Sequence, residues 1–377
     1  MHIAVDAANL QHDRRGIGRY ARAMISRWLR ARDRVRLTML VPDLILSGAK
    51  RRLAAALESD DIEVRPRRAV RSLQPDLVWY PWNGMTWTSS CLSLATVHDV
   101  WPFVSPAADL RTRRREQTAY VTMAAHTCGI IANSLFTKSE IVKYLNVPEE
   151  RIHVVHMGVD MPRAHGTQTS AGQGSRRLAL DGAQRYVLFV GESEPRKDLA
   201  TLQAAMDKLP LELQATTGLV TAGKTSANKR GRIESEGRAE RGALALHFDM
   251  TTSVPTLIGG EVSDAVLEQL YAGAAAFAFP SRYEGFGLPL LEAMAHGVPV
   301  VASNAASIPE VGGEAALYVP AGDAGALALA LAHVLSDPAV ARTLRTAGLA
   351  RAADVSWDRC SDATLAVFGQ VIGAAST

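Results

Sequence analysis

The chain has 377 residues, of which 47% are hydrophobic and 21% are charged, and its formal net charge is +3. This length exceeds what one ordinary hydrophobic core fills, so the sequence predicts two domains. No apolar run approaches the roughly 20 residues of a membrane span, and the alternating N-terminus MHIAVDAANL is unlike a secretory signal. Three distant cysteines without metal-ligand spacing predict reduced structural thiols in a cytoplasmic protein: Cys91, Cys128 and Cys360.

Short runs rich in valine and isoleucine alternate with longer amphipathic stretches along the chain. This is the βαβ pattern of parallel sheets covered by helices. The predicted strands of the first sheet are HIAVDA, VRLTMLV, DLVWY, LATVH, GIIANS and IHVVHMG. The stretch that begins at Gly16 predicts a helix with one apolar stripe.

Residues 161–184 are rich in Gly, Ser, Thr and Gln and lack periodicity, so they are the best linker candidate. The predicted strands of a second sheet then follow: RYVLFVG, GLVTAG, PTLIGG, AAFAFPS, PVVAS and AALYVP. The sequence therefore predicts a Rossmann-like domain at 1–170, a linker at 171–184, a second Rossmann-like domain at 185–355 and a C-terminal helix at 356–377.

In open α/β sheets, ligands bind beyond the carboxyl ends of the strands, so the residues after each strand are the candidates for function. After the first strand, Gly16, Gly18 and Ala21 match the dinucleotide pattern G-x-G-x-x-A. The pattern is weak, and the glycines lie about nine residues beyond the strand rather than in a tight turn. We expect a loop whose glycines let a ligand approach a helix N-terminus that starts near Gly18. An ordinary glycine turn is the alternative.

His98 follows the strand LATV and is expected to lie in the crevice between the domains. A histidine there can donate a hydrogen bond to a sugar hydroxyl or stabilise developing charge. A purely structural histidine is the alternative.

Pro195, Arg196 and Lys197 precede a predicted helix after the strand YVLFVG. Cations are unfavourable at a helix N-terminus unless an anion is also present. Arginine offers a bidentate fork and lysine a point charge, so the pair predicts a diphosphate site. Solvated surface charge is the alternative.

The stretch SRYEGFGLPLLEAMAHGVPV follows the predicted strand AAFAFPS. Its proline, Pro289, is typical of a first helical turn, which places the amides of Gly287 and Leu288 at a helix N-terminus where they can bind a diphosphate. Glu284 and Glu292 flank these amides, and each can accept paired hydrogen bonds from a vicinal diol. Two surface glutamates at a helix start are the alternative.

Taken together, these motifs resemble the retaining GT-B glycosyltransferases of family four, and within them the mannosyltransferase-like enzymes of bacterial polysaccharide synthesis. The resemblance covers most of the chain in the family's order. It rests on GIGRYA, VHD, ANSLFTKSEI, RIHVVHMGVD, LFVGESEPRKD, LVTAGK, VSDAVLEQLYAGA and SRYEGFGLPLLEAMAHGVPVVAS.

The resemblance implies two Rossmann-like domains facing a central cleft, with the C-terminal helix crossing back to the first domain. It also implies a role for each candidate residue. Gly16 backs the leaving diphosphate, His98 contacts the sugar, Arg196 and Lys197 bind phosphate, Glu284 holds the sugar, Gly287 and Leu288 supply N–H groups, Glu292 holds the ribose, and the segment around Val262 lines the base.

The chemistry that the resemblance implies is transfer with retention, in which the leaving phosphate takes the acceptor's proton. The sequence has no Asp-x-Asp motif, so a divalent metal is not expected. No cofactor is expected, since the nucleotide-sugar donor is a substrate. GDP-mannose is the leading donor by analogy, and rhamnose donors and UDP-sugars stay open. A non-catalytic nucleotide-sugar sensor and a dinucleotide-dependent oxidoreductase remain as alternatives.

Charge is distributed unevenly, since residues 1–180 carry +10 and the remainder −7. The clusters RPRR (65–68) and RTRRRE (111–116) predict contact with an anionic membrane surface or a phosphorylated acceptor, with solvated helix faces as the alternative. Nucleic acid is not a predicted partner, because aromatic residues do not interleave with these arginines. We expect a lipid-linked or saccharide acceptor and a cytoplasmic enzyme, peripheral on the inner face of the membrane.

Overall fold

The structure of the protein is a computed structural model. It describes residues 1–13, 16–31, 33–105, 109–162, 183–223, 246–249, 254, 256–260 and 262–375. The chain divides into two compact units: unit 1 comprises Met1–Gly158 and Val355–Thr377, and unit 2 comprises Val159–Asp354. Of the predicted linker at 171–184, only residues 183 and 184 are among those described.

Unit 1 is built on a parallel sheet. Its strands are β1 His2–Asp6, β2 Arg36–Val41, β3 Glu63–Pro66, β4 Leu77–Tyr80, β5 Ser93–Val97, β6 Gly129–Ala132 and β7 Ile152–Val154. Within the described residues the strand order is β3-β2-β1-β4-β5-β6-β7. The helices between them are α1 Gly16–Arg30, α2 Ala49–Leu57, α3 Val70–Leu73, α4 Trp101–Val104, α5 Leu110–His126 and α6 Leu135–Leu145.

Unit 2 contains a second sheet, in which every recorded pair of strands is parallel except β10 with β11. Its strands are β8 Arg185–Val190, β9 Thr217–Ala222, β10 Leu246–Asp249, β11 Thr256–Gly259, β12 Ala276–Phe279, β13 Val300–Ser303 and β14 Ala316–Val319. The order is β10-β11-β9-β8-β12-β13-β14. Its helices are α7 Leu199–Met206, α8 Leu211–Gln214, α9 Asp264–Gly273, α10 Leu288–Ala295, α11 Ile308–Gly312, α12 Ala324–Ser336 and α13 Pro338–Asp354.

The C-terminal helix α14, Trp357–Ala375, belongs to unit 1 and packs on α1. The indole N–H of Trp28 donates to Ser361 Oγ at 2.9 Å, and the ring of Trp28 meets the ring of Phe368 with centroids 5.5 Å apart. Both rings are fully buried, so this contact closes one side of the unit 1 core.

The predicted α/β class with two parallel-sheet domains is confirmed. Two strands were not predicted. β3 has the sequence EVRP, whose alternating charges conceal a strand, and β10 lies in a stretch whose pattern is irregular. Among the described helices, none is by itself long and apolar enough to cross a membrane. α12 and α13 reach that length and hydropathy only as a pair, with a 98° bend between them.

Candidate active site

The loop after β8 is held against the loop after β12, because these two strands are neighbours in the unit 2 sheet. The loop forms a 3-10 turn at Pro195–Lys197, followed by Asp198 in the left-handed conformation at φ 52°. The buried Asp198 carboxylate accepts hydrogen bonds from Thr201 Oγ1 at 2.8 Å and from Arg282 Nε at 2.7 Å. The amide of Arg282 also donates to the carbonyl of Arg196 at 2.7 Å. These bonds fix the position of the cations on the turn.

Three of the predicted site residues meet here in direct contact. Lys197 Nζ donates to Glu284 Oε1 at 2.5 Å, and Arg196 Nη1 lies 3.6 Å from Glu284 Oε2. The Lys197 and Glu284 side chains are 12% and 7% exposed. The other side of Arg196 is bound by Glu194, with Nε and Oε2 2.6 Å apart. Arg196, Lys197 and Glu284 therefore form one cluster in unit 2.

This arrangement corrects one step of the sequence argument. The two cations were expected to need an external anion because they precede a helix. Instead, Glu194 pairs with Arg196 and Glu284 pairs with Lys197, so the cluster is close to neutral. The two positive charges before the helix are therefore not in themselves evidence for a bound anion. The observation that still supports a site is that Arg196 and Lys197 both contact the buried carboxylate of Glu284.

The N-terminus of α10 lies in the same segment as Glu284. Gly287 precedes the helix with φ 107°, a conformation that favours glycine, and a Cβ there would lie 3.2 Å from the ring of Phe279. The hydroxyl of Ser307 lies 2.9 Å from the carbonyl oxygens of Glu284 and Phe286, which fixes the turn. In the first turn of α10, Pro289 has no N–H and the amide of Leu290 donates to the carbonyl of Gly287 at 3.1 Å. The amide of Leu288 lies at the free end of the helix, where it is suited to bind an anion.

Glu292 lies about one turn into α10, beyond this cluster, and has its own partner. Its Oε2 accepts a hydrogen bond from the hydroxyl of Tyr271 at 2.9 Å, and both residues are buried. The ring of Tyr271 stacks on the ring of His296, with centroids 5.1 Å apart. Tyr271, which the sequence did not single out, therefore fixes the orientation of the Glu292 carboxylate.

Val262 lies in the connection between β11 and α9 and is half-buried. Most of the residues before it, at 224–245, 250–253, 255 and 261, lie outside the described part of the chain. The predicted contact of Val262 with a base stays a prediction.

His98 follows β5 in unit 1 and is held on three sides. Its amide donates to Asn83 Oδ1 at 2.6 Å, its carbonyl accepts from Asn133 Nδ2 at 2.9 Å, and its ring Nε2 lies 3.0 Å from the carbonyl oxygen of Pro81. The ring of Tyr20 meets it edge-on, with centroids 4.9 Å apart. His98 is 5% exposed, so its ring orientation is fixed by packing.

The expected hydrogen-bond donation by His98 is wrong for this ring. A carbonyl oxygen only accepts, so Nε2 carries the proton and is already used by Pro81. Burial lowers the pKa of His98 to about 4, so the ring is neutral at physiological pH and does not stabilise negative charge as a cation. Its Nδ1 has no partner among the described residues and presents a hydrogen-bond acceptor.

Gly16 and Gly18 lie inside α1, Gly16–Arg30, which starts where the apolar stripe predicts a helix and not near Gly18, where the N-terminus for a ligand was expected. Nine residues separate β1 from this helix, so the glycines do not form the tight strand-to-helix turn of a dinucleotide site. A Cβ on Gly18 would lie 1.8 Å from the carbonyl oxygen of Asp13. Glycine is therefore required at position 18 because the backbone of the preceding loop, at Asp13, lies against it.

Asn83 and Asn133 are further residues that sequence reasoning missed. Asn133 directly follows β6, so the same rule that selected His98 after β5 would have selected it. Asn83 lies three residues after β4, where no pattern distinguishes it.

Two family models match the chain, one in each half. The model described as Glycosyltransferase Family 4 matches residues 14–163, and the model described as Glycosyl transferases group 1 matches residues 173–351.

Similar curated proteins include enzymes of bacterial glycan synthesis. The chain is 28% identical over 280 residues to the O-antigen chain mannosyltransferase B of Escherichia coli, covering 73% of this chain and 70% of that protein. It is 27% identical over 318 residues to the serotype-specific mannosyltransferase WbdA of Escherichia coli, covering 80% and 37%. It is 33% identical over 249 residues to the D-inositol 3-phosphate glycosyltransferase of Mycolicibacterium vanbaalenii, covering 64% and 53%. The chain thus spans only about a third to a half of the second and third relatives.

Solved structures share the fold at low sequence identity. Anabaena HepE in complex with UDP and glucose has a TM-score of 0.71 and 16% identity, with 98% of this chain and 100% of that chain covered. WaaG, a glycosyltransferase involved in lipopolysaccharide biosynthesis, has a TM-score of 0.66 and 15% identity, with 94% and 95% covered.

Proposed function

Because the chain belongs to the GT-B glycosyltransferases, with a family-four region followed by a group 1 region, we propose that it transfers a hexose from a nucleotide-sugar to a lipid-linked or saccharide acceptor in bacterial surface polysaccharide synthesis. The donor we propose is GDP-mannose, since O-antigen mannosyltransferases are among the similar proteins. Transfer proceeds with retention and without a divalent metal.

The observation that carries this proposal is the cluster of Lys197, Arg196 and Glu284 in the same unit as the N-terminus of α10. The cations lie beyond the carboxyl end of β8 and Glu284 beyond that of β12, and these neighbouring strands are where an open sheet binds its ligand. This favours a donor site in unit 2.

Donor binding changes the partners within this cluster. The diphosphate takes the place of Glu284 beside Lys197 and Arg196, while the amides of Gly287 and Leu288 donate to its other oxygens. Glu284, released from the lysine, accepts hydrogen bonds from the sugar hydroxyls. The paired state therefore keeps the cations in position before the donor arrives.

The same groups act on the leaving diphosphate during transfer. Negative charge grows on it as the bond to the sugar breaks, and two fixed cations with oriented amides stabilise that charge in place of a metal ion. The leaving phosphate oxygen takes the acceptor's proton on the same face of the sugar, which accounts for retention. Glu292, oriented by Tyr271, holds the ribose.

His98 is proposed to contact the donor sugar, as the resemblance implies. Because its proton lies on Nε2, the contact is one in which a sugar hydroxyl donates to Nδ1. A neutral acceptor orients a hydroxyl without adding charge.

The test is a thermal-shift panel of GDP-, UDP- and dTDP-sugars, followed by an assay for slow donor hydrolysis. GDP-mannose is expected to raise the melting temperature most and to be hydrolysed. Stabilisation by a UDP-sugar alone would reject the proposed donor. No shift and no hydrolysis with any donor would reject the function, and binding without hydrolysis or transfer would indicate a sensor.

A further inference from the structure

The basic segment after β3 forms a pocket in unit 1 that the donor site does not use. The pocket has a volume of about 390 Å³ and is lined by Arg67, Arg68, Val70, Arg71, Trp87, Thr88, Ser89 and Ser90. Its lining thus holds three arginines, a tryptophan and three hydroxyl groups, with no acidic side chain.

The three arginines converge because of the local backbone. β3 ends at Pro66, a 3-10 turn runs from Arg67 to Ala69, and α3 begins at Val70. Val70 is buried in the unit 1 core, which anchors the segment. Arg71 follows Arg68 by three residues and Arg67 by four, so its side chain lies near both of theirs on the turn.

Arg67 is held rigidly in this pocket. Its Nη2 donates to Asp6 Oδ1 at 2.9 Å, and Asp6 is 4% exposed at the carboxyl end of β1. Its guanidinium lies over the ring of Trp87, 5.0 Å from the centroid. Within the described part of the chain, Arg67 Nε has no hydrogen-bond partner. A guanidinium fixed in this way loses little entropy when it binds an oxyanion.

The pocket keeps net positive charge after its internal pairs are counted. Asp6 balances Arg67, and Asp43 lies 3.0 Å from Arg68 in an exposed pair of the kind that contributes little. Arg71 makes no ion pair with any residue that the structure describes. Among the described residues, Arg71 therefore lacks a counter-charge, and Arg68 has only a weak one.

From this geometry we infer that the pocket binds a phosphate group, with Arg68 and Arg71 supplying the charge and Arg67 a fixed guanidinium. Tetrahedral oxyanions accept several hydrogen bonds from different directions, and arginine forks and hydroxyls supply them.

The inference that this phosphate belongs to the sugar acceptor rests on the proposed function. The Arg67 side of the pocket lies at the carboxyl edge of the unit 1 sheet, because Arg67 follows β3 and contacts Asp6, the last residue of β1. His98 follows β5 at the same edge. Trp87 lies on the connection between β4 and β5, so the pocket and His98 are linked through neighbouring strands. The acceptor that fits this arrangement carries a phosphate or diphosphate close to the sugar that reacts. The phosphate occupies the pocket, and the sugar lies along the same edge of the sheet towards His98.

Phosphate binding is measured by equilibrium dialysis of inorganic phosphate, in the full chain that carries Lys197→Met and Glu284→Gln to weaken the proposed donor site. Arg71→Gln and Arg68→Gln are each expected to weaken binding at least about tenfold. Arg30→Gln is the matched control, because it removes one exposed arginine charge from α1 of the same unit, outside the two basic clusters. Equal binding in Arg71→Gln and Arg30→Gln, whether binding is retained or lost in both, overturns the inference.

A second arm identifies the source of the phosphate. Flotation is compared with phosphatidylcholine vesicles that contain or lack phosphatidic acid. Flotation that requires phosphatidic acid and Arg71 assigns the pocket to a lipid-linked phosphate, whereas Arg71-dependent binding of inorganic phosphate without flotation assigns it to a soluble one. If no nucleotide-sugar binds the wild-type chain, the proposed function fails but the phosphate result stands. If Arg71→Gln binds phosphate normally, only this inference fails.

Discussion

Lys197 Nζ lies 2.5 Å from Glu284 Oε1, and the two side chains are among the most enclosed charges that the structure describes in unit 2. Removing one partner of a buried pair leaves the other uncompensated, at a cost of about 3 kcal/mol or more in the free energy of unfolding. Glu284→Gln is expected to cost more than Lys197→Met, because Glu284 retains Arg196 at 3.6 Å when the lysine is lost. Urea unfolding of both variants and of the double variant checks this.

The double variant Lys197→Met/Glu284→Gln removes both charges and is expected to recover most of the lost stability. A double variant as unstable as the sum of the two single variants would show that the pair is not energetically coupled.

Turnover is expected to respond differently from stability to the same substitutions. Each single variant should lower turnover at least about a hundredfold, on the order of 3 kcal/mol of barrier, because Lys197 stabilises the leaving diphosphate and Glu284 holds the sugar. The double variant should regain stability and remain inactive. Turnover is measured at a temperature where all variants are folded by circular dichroism. An active double variant would remove both residues from the proposed site.

Tyr271→Phe deletes the hydroxyl that donates to Glu292 at 2.9 Å. The loss of one hydrogen bond, worth about 0.5–1.5 kcal/mol, predicts an affinity for the nucleoside diphosphate that is about two- to tenfold weaker. We expect kcat to change little, because Glu292 is proposed to hold the ribose and not the reacting sugar. Isothermal titration with GDP checks the affinity. The matched control is Tyr318→Phe, which removes a hydroxyl that donates to the carbonyl of Gly313 at 2.7 Å. Equal affinities in the two variants would contradict a positioning role for Tyr271.

Gly287→Ala tests the turn that precedes α10. At φ 107° an alanine is strained, and its Cβ would meet the ring of Phe279 at 3.2 Å, so we expect a loss of about 1–3 kcal/mol in unfolding free energy together with weaker diphosphate binding. Gly369→Ala is the control, because a Cβ there meets nothing within 4 Å inside α14. That substitution should stabilise the protein by about 0.5–1 kcal/mol. Thermal unfolding with and without GDP checks both, and a Gly287→Ala protein as stable as wild type would contradict the strained turn.

His98 should make stability depend on pH. Its folded pKa of about 4 lies below its ordinary value of 6.5, so between these values the unfolded state binds more protons than the folded state. Stability is therefore fully present above pH 6.5 and falls by about 3 kcal/mol as pH drops towards 4. Urea unfolding across this window should show a shallower fall in His98→Gln. His2 and His153, whose pKa values are also lowered mainly by burial, leave a residual slope in the same direction. If the free energy of unfolding falls equally with pH in the wild type and in His98→Gln, the inference that His98 is buried in its neutral form is wrong.

The sequence by itself determined the two-sheet architecture, because apolar periodicity is a local property that each strand and helix carries in its own residues. It also selected Arg196, Lys197 and Glu284, since residues that follow neighbouring parallel strands meet at one edge of the sheet. Strand β3 was not predicted, because EVRP contains a single apolar residue between two charged ones. Its own sequence does not show that it pairs with β2.

Only the tertiary structure decided which groups pair with which. Arg196 and Lys197 are paired with a carboxylate only because the loop after β8 lies against the loop after β12. Lys197 and Glu284, which form this contact, are 87 residues apart in the chain. Likewise, the proton position on the His98 ring follows from the carbonyl of Pro81, and the orientation of Glu292 follows from Tyr271. Hydrogen bonds and buried charges act over a few ångströms in space, and no spacing along the chain specifies those distances.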